Sequence, residues 1–224
     1  MANDEDEGMD TVFDLLLKTN ESCLLALAIG LFAFLLWQNH FLHRQVKDYQ
    51  EMTEVLRFER DYDMLSRLKN RNAFLRFFQQ MESEAEPVSV IVCDIDGLKI
   101  INDAAGHAAG NKAIQKAGEI LRVVCPSDAC AFRTGGDEYV IVLKASWSVE
   151  SMLELKNKIG IAIAAYNKVA TNIPLSLSIG FAAADGDAQI RRIYKQADSA
   201  MYCEKKSRQE KVYQMLRLAL VAVE

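Results

Sequence analysis

An uninterrupted apolar run near the start of the chain sets the strongest limit on how the chain can fold. Residues 23–37, CLLALAIGLFAFLLW, include fifteen residues without a polar side chain. A helix rises about 1.5 Å per residue, so the run covers roughly 22 Å, and residues 38–42 extend it toward the roughly 30 Å of a bilayer core. The run therefore predicts a transmembrane helix over residues 23–42. A buried core helix and an oligomer-forming segment are the alternatives.

The charges on the two sides of this run predict its orientation. Residues 1–22 form an acidic segment with seven carboxylates and one lysine, whereas two histidines, an arginine and a lysine follow the run. Positive charge beside a membrane helix stays on the cytoplasmic side. The acidic start also argues against a cleaved secretory signal. We expect a single-pass protein with the rest of the chain in the cytoplasm.

The charge and the cysteine content of the chain limit which classes of partner and which cellular compartment are expected. The formal net charge is -5, and the chain after residue 22 sums to +1. Proteins that bind polymeric nucleic acid present a strongly basic surface, so we expect no polymeric nucleic acid partner. The five cysteines are odd in number and spread along the chain, which indicates reduced thiols inside a cell.

Residues 43–68 have a different pattern, in which charged residues are interrupted by widely spaced apolar ones. The apolar positions are Val55, Phe58, Tyr62 and Leu65, at spacings of 3, 4 and 3. This spacing predicts a linker helix with a short parallel coiled-coil seam. A solvated linker helix with one apolar face is the alternative.

The chain from about residue 63 has the pattern of a compact domain with one sheet and several helices. Residues 88–93 are continuously apolar, as in a central strand, and LSLSIGF at 175–181 alternates like a half-buried one. Helical periodicities separate these strands. The predicted helix caps are Asn70 or Asn72, Asn111 and Asp187.

Acidic residues follow two of the predicted strands. Asp94 and Asp96 stand at the end of the first strand, before Gly97, and Asp137 and Glu138 open the strand after Gly135-Gly136. Acids at the mouth of a buried strand must be paired, hydrogen-bonded or bound to a metal. Each segment alone is more typical of a turn or hairpin than of a site. Antiparallel pairing of the two strands would bring Asp94 and Asp137 together as Mg²⁺ ligands.

Five ordered motifs make the chain resemble the GGDEF family of diguanylate cyclases. They are D-x-L-S-x-L-x-N-R (63–71), D-I-D-x-L-K-x-I-N-D-x-x-G-H-x-x-G (94–110), R-x-G-G-D-E-Y (133–139), S-I-G (178–180) and A-D-x-A-M-Y-x-x-K (197–205). The resemblance covers residues 63–210. It implies an α/β (α+β) fold with an antiparallel-rich central sheet flanked by helices, like polymerase palms and nucleotidyl cyclases. Together with the predicted membrane helix, it implies a bacterial inner-membrane protein with a single pass and a cytoplasmic catalytic domain.

The same resemblance implies an activity and a site. Family members condense two GTP into cyclic di-GMP and pyrophosphate, with Mg²⁺ or Mn²⁺ as cofactor, in a homodimer whose two domains face each other. The implied metal ligands are Asp94, the Ile95 carbonyl, Asp137 and Glu138. The implied catalytic residues are Asp94, Lys99, Asp137, Glu138 and Lys205. The implied substrate-binding residues are Gly97, Leu98, Lys99, Asn102, Asn111, Lys205 and Arg208.

Two departures from the family pattern leave alternatives open. Asn111 replaces the usual guanine-reading aspartate, which predicts weakened GTP preference and, in the extreme, relaxed base choice. The helix after Lys205 lacks the usual glycine before an arginine, so Arg208 is the candidate replacement for the phosphate-binding arginine. A nucleotide-binding receptor or scaffold without turnover is the alternative function. Residues 211–224 are apolar enough for a final strand or a docked helix.

Overall fold

The computed structural model describes residues 4–84, 86–169, 173–184 and 189–221. The chain divides into two compact units, Met1–Leu56 and Arg57–Glu224. The predicted cap Asp187, residues 1–3 of the acidic segment and residues 222–224 of the C-terminal element lie outside the described residues.

The first unit is helical. Helix α1 runs over Asp4–Asp61, and the side chains of residues 24–56 are exposed. Its apolar stretch leaves residues such as Leu27 at 71% and Phe32 at 64% exposure. By length and composition, Leu24–Asp61 is apolar enough to cross a membrane, with a mean hydropathy of 1.6 over the best window. A helix that is apolar on all sides requires either a protein core or lipid around it.

Helix α1 ends at Asp61, seven residues before the predicted end of the linker helix. The side-chain amide of Asn70 donates to three carbonyl oxygens at this end, the nearest that of Arg60 at 2.9 Å. These bonds satisfy carbonyls that another helical turn would otherwise have bonded. Leu65, predicted on the coiled-coil seam, lies in the following turn and packs against the domain core. The helix therefore ends before the last position of the predicted seam.

The second unit is built on a four-stranded sheet with strand order β2-β3-β1-β4, and every neighbouring pair is antiparallel. The strands are β1 (Ser89–Ile95), β2 (Ala129–Arg133), β3 (Glu138–Leu143) and β4 (Leu177–Ala183). The helices are α2 (Arg71–Glu84), α3 (Leu98–Ala105), α4 (His107–Val124), α5 (Val149–Val169) and α6 (Ile190–Val221). The predicted α/β fold with an antiparallel sheet flanked by helices is confirmed.

The continuous apolar run of β1 is explained by burial on both faces of the sheet. Val90 and Val92 belong to a cluster with α2 and the first half of α6. Ile91, Cys93 and Ile95 belong to a cluster on the opposite face, with α4 and α5. Alternate residues of a strand point to opposite faces, so a strand covered on both sides needs apolar residues throughout.

Helix α6 contributes to both faces. Its first half packs Ile193 and Ala197 into the α2 cluster, and its second half packs Val212 and Leu216 into the other cluster. No glycine or proline interrupts residues 190–221, and these two residues are the strongest helix breakers. The segment at 211–221, for which strand and helix were both open, is therefore helical and continues α6.

Of the predicted helix caps, Asn70 is confirmed and Asn111 is wrong. Asn70 caps α2, since its side-chain oxygen accepts from the Ala73 amide at 2.9 Å. The prediction that Asn111 caps a helix is wrong, because α4 already begins at His107. Gly106 precedes it with a φ of 80°, a conformation that L side chains rarely adopt, and it sets the start of the helix.

Candidate active site

Three acidic residues, Asp94, Asp137 and Glu138, stand where β1 ends beside the hairpin before β3. Asp94 lies opposite Glu138 in the β1–β3 register. The Ile95 amide donates to the Asp137 carbonyl at 3.0 Å, so the backbone holds Asp137 next to the same strand end. Residues opposite each other on antiparallel strands share a face of the sheet. The predicted juxtaposition of Asp94 and Asp137 is present in the structure.

Asp94 is buried among charges that do not balance. Its residue exposure is 4%, and the Lys205 ammonium donates to its Oδ1 at 2.6 Å. Burial raises the pKa of Asp94 to about 6, and the charges of Asp137 and Asp96 add to this, while Lys205 opposes it. One cation therefore does not compensate for the carboxylates at this strand end.

Lys205 responds to the same charges. Burial would lower the pKa of this side chain, but the hydrogen bond to Asp94 and the neighbouring carboxylates raise it overall. The ammonium therefore stays charged at neutral pH, where it can pair with Asp94 or with a bound anion.

Asp96 lies only two residues from Asp94 and has a separate environment. Its two carboxylate oxygens accept from the hydroxyls of Ser176, at 2.6 Å, and Ser178, at 2.5 Å. Its amide donates to the Ser176 carbonyl at 3.0 Å. Asp96 is thus fully engaged in tying β1 to β4 and to the segment before it.

The turn after Asp96 presents backbone amides. Gly97 has a φ of 71° and precedes α3, which starts at Leu98. The first amides of a helix have no partner within the helix and attract anions. Leu98 is buried, so its side chain serves the core, whereas Lys99 is exposed. The predicted phosphate cradle of Gly97, Leu98 and Lys99 is therefore a backbone feature with one lysine beside it.

The hairpin that carries Asp137 is held from a distant part of the chain. The Arg133 Nη1 donates to both oxygens of Asp63 at 3.0 Å, and its Nη2 donates to the Gly136 carbonyl at 2.8 Å. Asp63 also accepts from the Ser66 amide at 2.7 Å. Burial opposes ionisation of Asp63, but these hydrogen bonds outweigh it and lower its pKa. Sequence reasoning quoted both Asp63 and Arg133 within motifs but gave them no role.

The two residues predicted to read guanine lie at the junction of α3 and α4. Asn102 on α3 packs against Gly110 on α4, where an added Cβ would come within 2.0 Å of the Asn102 side-chain oxygen. Asn111 follows Gly110 and is exposed. Gly110 therefore allows the close approach of these two helices at the position where both amides are found.

Arg208, the candidate phosphate-binding arginine, lies beside strand β4. Its Nη1 donates to the Leu177 carbonyl at 2.9 Å and to Glu204 at 3.0 Å, so it faces the outer edge of β4. Lys156 donates to the Ile179 carbonyl at 2.8 Å on the same edge and also pairs with Glu204. The Arg208 Nη2 also lies 3.4 Å from the Ser176 hydroxyl. The phosphate contact of Arg208 stays a prediction, and in this structure α6 directs the side chain to β4.

A cavity of about 280 Å³ adjoins the turn at Gly97. It is lined by Asp96, Gly97, Tyr202, Lys205, Lys206, Gln209, Val212 and Tyr213. One strand-end carboxylate, the turn at Gly97 and two lysines thus line one recess. Sequence reasoning identified Lys205 there and missed the later α6 residues, for which helical spacing from Lys205 was the available signal.

The comparison with known families identifies the domain. Residues 60–211 match the model described as "Diguanylate cyclase, GGDEF domain". The chain belongs to the GGDEF family, and the resemblance drawn from its motifs is confirmed.

Curated relatives agree with this assignment. The diguanylate cyclase DosC of Escherichia coli (strain K12) is 33% identical over 166 residues, which cover 71% of this chain and 36% of DosC. An uncharacterized membrane protein of Staphylococcus aureus (strain USA300) is 27% identical over 169 residues, covering 70% of this chain and 47% of the relative. The chain thus spans between a third and a half of the length of these relatives.

Solved structures share the fold. The coiled coil and GGDEF domain of DgcB from Caulobacter crescentus, in complex with c-di-GMP, gives a TM-score of 0.64 at 22% identity, covering 73% of this chain and 90% of that one. The GGDEF domain of the Pseudomonas aeruginosa protein TpbB, or YfiN, gives a TM-score of 0.53 at 27% identity, covering 68% and 99%.

Proposed function

We propose that this chain is a diguanylate cyclase that condenses two molecules of GTP into cyclic di-GMP. Each 3′-hydroxyl oxygen attacks the α-phosphorus of the other nucleotide, two P–O bonds form, and two pyrophosphates leave. The single observation that supports this best is the placement of Asp94, Asp137 and Lys205 at one strand end. Family membership and the cyclase relative support the same reaction.

Mg²⁺, or Mn²⁺ in its place, is the cofactor that the residues fit. Asp94, Asp137, Glu138 and the Ile95 carbonyl would hold it. Burial and neighbouring charge raise the pKa of Asp94 to about 6, so a divalent cation would relieve the repulsion that Lys205 leaves. Among the described residues no three His, Cys, Asp or Glu side chains form a metal cluster. Mg²⁺ in nucleotide sites is bound by protein carboxylates together with substrate phosphates, so the bound nucleotide would complete the site.

The bound ion would neutralise the triphosphate and lower the cost of forming the attacking alkoxide. The chain's own groups then have distinct tasks. The amides of Gly97, Leu98 and Lys99 bind phosphate oxygens, and Lys205 leaves Asp94 to pair with a phosphate. Glu138, which is exposed, would assist at the metal or accept the proton of the 3′-hydroxyl.

Ring closure requires a second copy of the domain, because one site supplies one GTP. Two copies related by a two-fold axis bring each 3′-hydroxyl to the other α-phosphorus. We propose that residues 23–42 anchor the chain in the bacterial inner membrane with the domain in the cytoplasm. The anchor and the helix after it then raise the effective concentration of the two domains.

Product analysis tests this proposal. Full-length chain in detergent or nanodiscs is incubated with GTP and Mg²⁺, and the products are separated by chromatography and identified by mass. We expect cyclic di-GMP from the wild type and from Asp128→Ala, which removes an exposed carboxylate just before β2. We expect none from Asp137→Ala. A wild type that binds GTP and forms no cyclic product contradicts the proposal.

Base choice is tested in the same assay by adding ATP in equal amount. Asn111 accepts only one hydrogen bond where an aspartate accepts two, and a lost charged hydrogen bond costs about 1.5 to 3 kcal/mol. We expect weakened but retained preference for GTP, with Asn102 still binding guanine and with di-guanosine product in excess. Equal amounts of mixed or di-adenosine product would contradict that preference.

A receptor without turnover is the second candidate. The observation that favours it is Arg208, which is engaged at the edge of β4 and leaves the phosphate pocket without the predicted arginine. A receptor would bind GTP or cyclic di-GMP but leave GTP unchanged. The product assay separates this function from the cyclase directly.

A further inference from the structure

The second half of α6 has two sides, each facing a different cavity. Tyr202, Lys205, Lys206, Gln209 and Tyr213 line the 280 Å³ cavity at Gly97. These residues are separated mainly by three, four or seven positions, so they share one side of the helix. Glu204, Arg208, Lys211 and Met215 line a separate cavity of about 750 Å³ beside β4 and α5.

The helix is seated directly on the phosphate-binding turn. Leu216 is fully buried, and a Cβ added at Gly97 would lie 2.4 Å from its Cδ1. Val212, one turn earlier, is 5% exposed. Such close packing fixes the rotation of α6 about its axis. The side that carries Lys206, Gln209 and Tyr213 is therefore held toward the recess beside Gly97.

The side chains on this side are hydrogen-bond donors that are available to bind phosphate. Lys205 is engaged with Asp94. Lys206 is exposed, and within the described part of the chain it has no ion-pair partner. The Gln209 amide donates to the Tyr213 hydroxyl oxygen at 3.1 Å, which leaves the hydroxyl proton available to an acceptor. An ammonium, an amide and a phenol thus face the recess that the turn at Gly97 also lines.

We propose that Lys206, rather than Arg208, is the second phosphate-binding cation of the site, and that Gln209 and Tyr213 complete a wall for the β- and γ-phosphates. This inference rests on the proposed use of GTP. Lys206 would then take the role of the arginine. Because α6 continues without a break past Lys205, it directs Arg208 to β4 and directs Lys206 and Tyr213 to the nucleotide.

Binding of a non-reacting GTP analogue tests the proposal. Lys206→Gln is compared with Lys211→Gln, a matched change of an exposed lysine on the other side of the same helix. Full-length chain is titrated by calorimetry with the α,β-methylene analogue of GTP and with GMP, both with Mg²⁺. We expect Lys206→Gln to weaken binding of the triphosphate about 10-fold, because a charged hydrogen bond is lost. Lys211→Gln should stay within about twofold.

The comparison with GMP separates phosphate recognition from a general structural effect. GMP has no β- or γ-phosphate, so its affinity should be the same for wild type and Lys206→Gln. Tyr213→Phe, which removes only a hydroxyl, should weaken the triphosphate about threefold. Equal triphosphate binding by wild type and Lys206→Gln overturns the inference, as does an equal loss for GMP.

Failure of the proposed function gives a different result. Wild type that binds the triphosphate through Lys206 but makes no cyclic di-GMP overturns the cyclase and supports the phosphate assignment. Wild type that makes cyclic di-GMP, with triphosphate affinity insensitive to Lys206, overturns only the phosphate assignment. A wild type that binds no triphosphate overturns both.

Discussion

Asp94 and Asp96 are two residues apart and equally buried, at 4% and 5% exposure, but their surroundings differ. The Asp94 region combines Lys205 with further carboxylates and leaves negative charge uncompensated. The Asp96 region provides two serine hydroxyls and is satisfied without any ligand. A buried carboxylate with uncompensated negative charge around it indicates a functional group. A buried carboxylate whose oxygens are both hydrogen-bonded indicates a structural role.

The largest expected effect is on activity at Asp94. Asp94→Asn keeps the shape of the side chain but removes a charge that the metal requires. We expect cyclic di-GMP formation to fall by about 1,000-fold or more, since a ligand matters more than the outer groups whose loss costs about 10- to 100-fold. Initial rates of product formation with GTP and Mg²⁺ measure this. Near wild-type rates for Asp94→Asn would show that Asp94 is not required for the reaction.

The next effect is on stability at Asp96. Asp96→Ala leaves two buried serine hydroxyls without an acceptor and opens space between β1 and β4. We expect a loss of about 3 kcal/mol in the free energy of unfolding. Urea unfolding of the full chain, followed by Trp147 fluorescence in a Trp37→Phe background, measures it. A loss below about 1 kcal/mol would mean that Asp96 is not the structural partner.

Substitution of Asp94, in contrast to that of Asp96, should raise the free energy of unfolding. The pKa of about 6 in the folded state is above the usual value of 3.8. The folded state therefore holds the proton more tightly, and wild-type stability falls as pH rises from about 4 to 6. Without Mg²⁺ at pH 7, we expect Asp94→Asn to gain about 2 kcal/mol.

The pH dependence provides the control for that gain. Near pH 3 the Asp94 carboxyl is mostly protonated in both the folded and unfolded states, so the advantage of Asp94→Asn should disappear. Unfolding curves at about pH 3 and pH 7 measure the difference. A gain of equal size at both values would assign the effect to packing and not to charge.

The smallest effect distinguishes the two halves of the serine clamp. Ser178→Ala removes one hydroxyl from Asp96 and leaves Ser176 in place. We expect a loss of about 1.5 kcal/mol, the lower range for a hydrogen bond to a charged group. Thermal unfolding against Ser207→Ala, an exposed serine on α6, checks the value. A neutral Ser178→Ala would show that one hydroxyl suffices.

The sequence predicted the parts of the site that depend on short stretches of chain. The apolar run of β1, the acids after it and the glycine-rich hairpin each carry their own signal, and antiparallel pairing followed from them. The Arg133–Asp63 contact joins residues 70 positions apart. No local pattern specifies such a partner, although both residues lie in the motifs.

The errors have related physical causes. Asn111 is a good cap by residue type, but Gly106 and its positive φ start α4 earlier. Leu65 fits a heptad, but Asn70 binds the end of α1 and stops the helix before it. Arg208 was aligned with the family's arginine by its place after Lys205, and its direction in the structure is set by the rotation of an unbroken α6. In each case tertiary contacts decided between alternatives that local sequence left nearly equal.

The engagement of Arg208 and Lys156 has a consequence for assembly. Both side chains cover carbonyl oxygens of Leu177 and Ile179 on the outer side of β4. A strand with open polar groups invites pairing with another chain and growth into aggregates. Here, an approaching strand would have to displace two cations and the carboxylate between them. These contacts therefore hinder strand pairing between neighbouring molecules at the edge of β4, even where the local protein concentration is high.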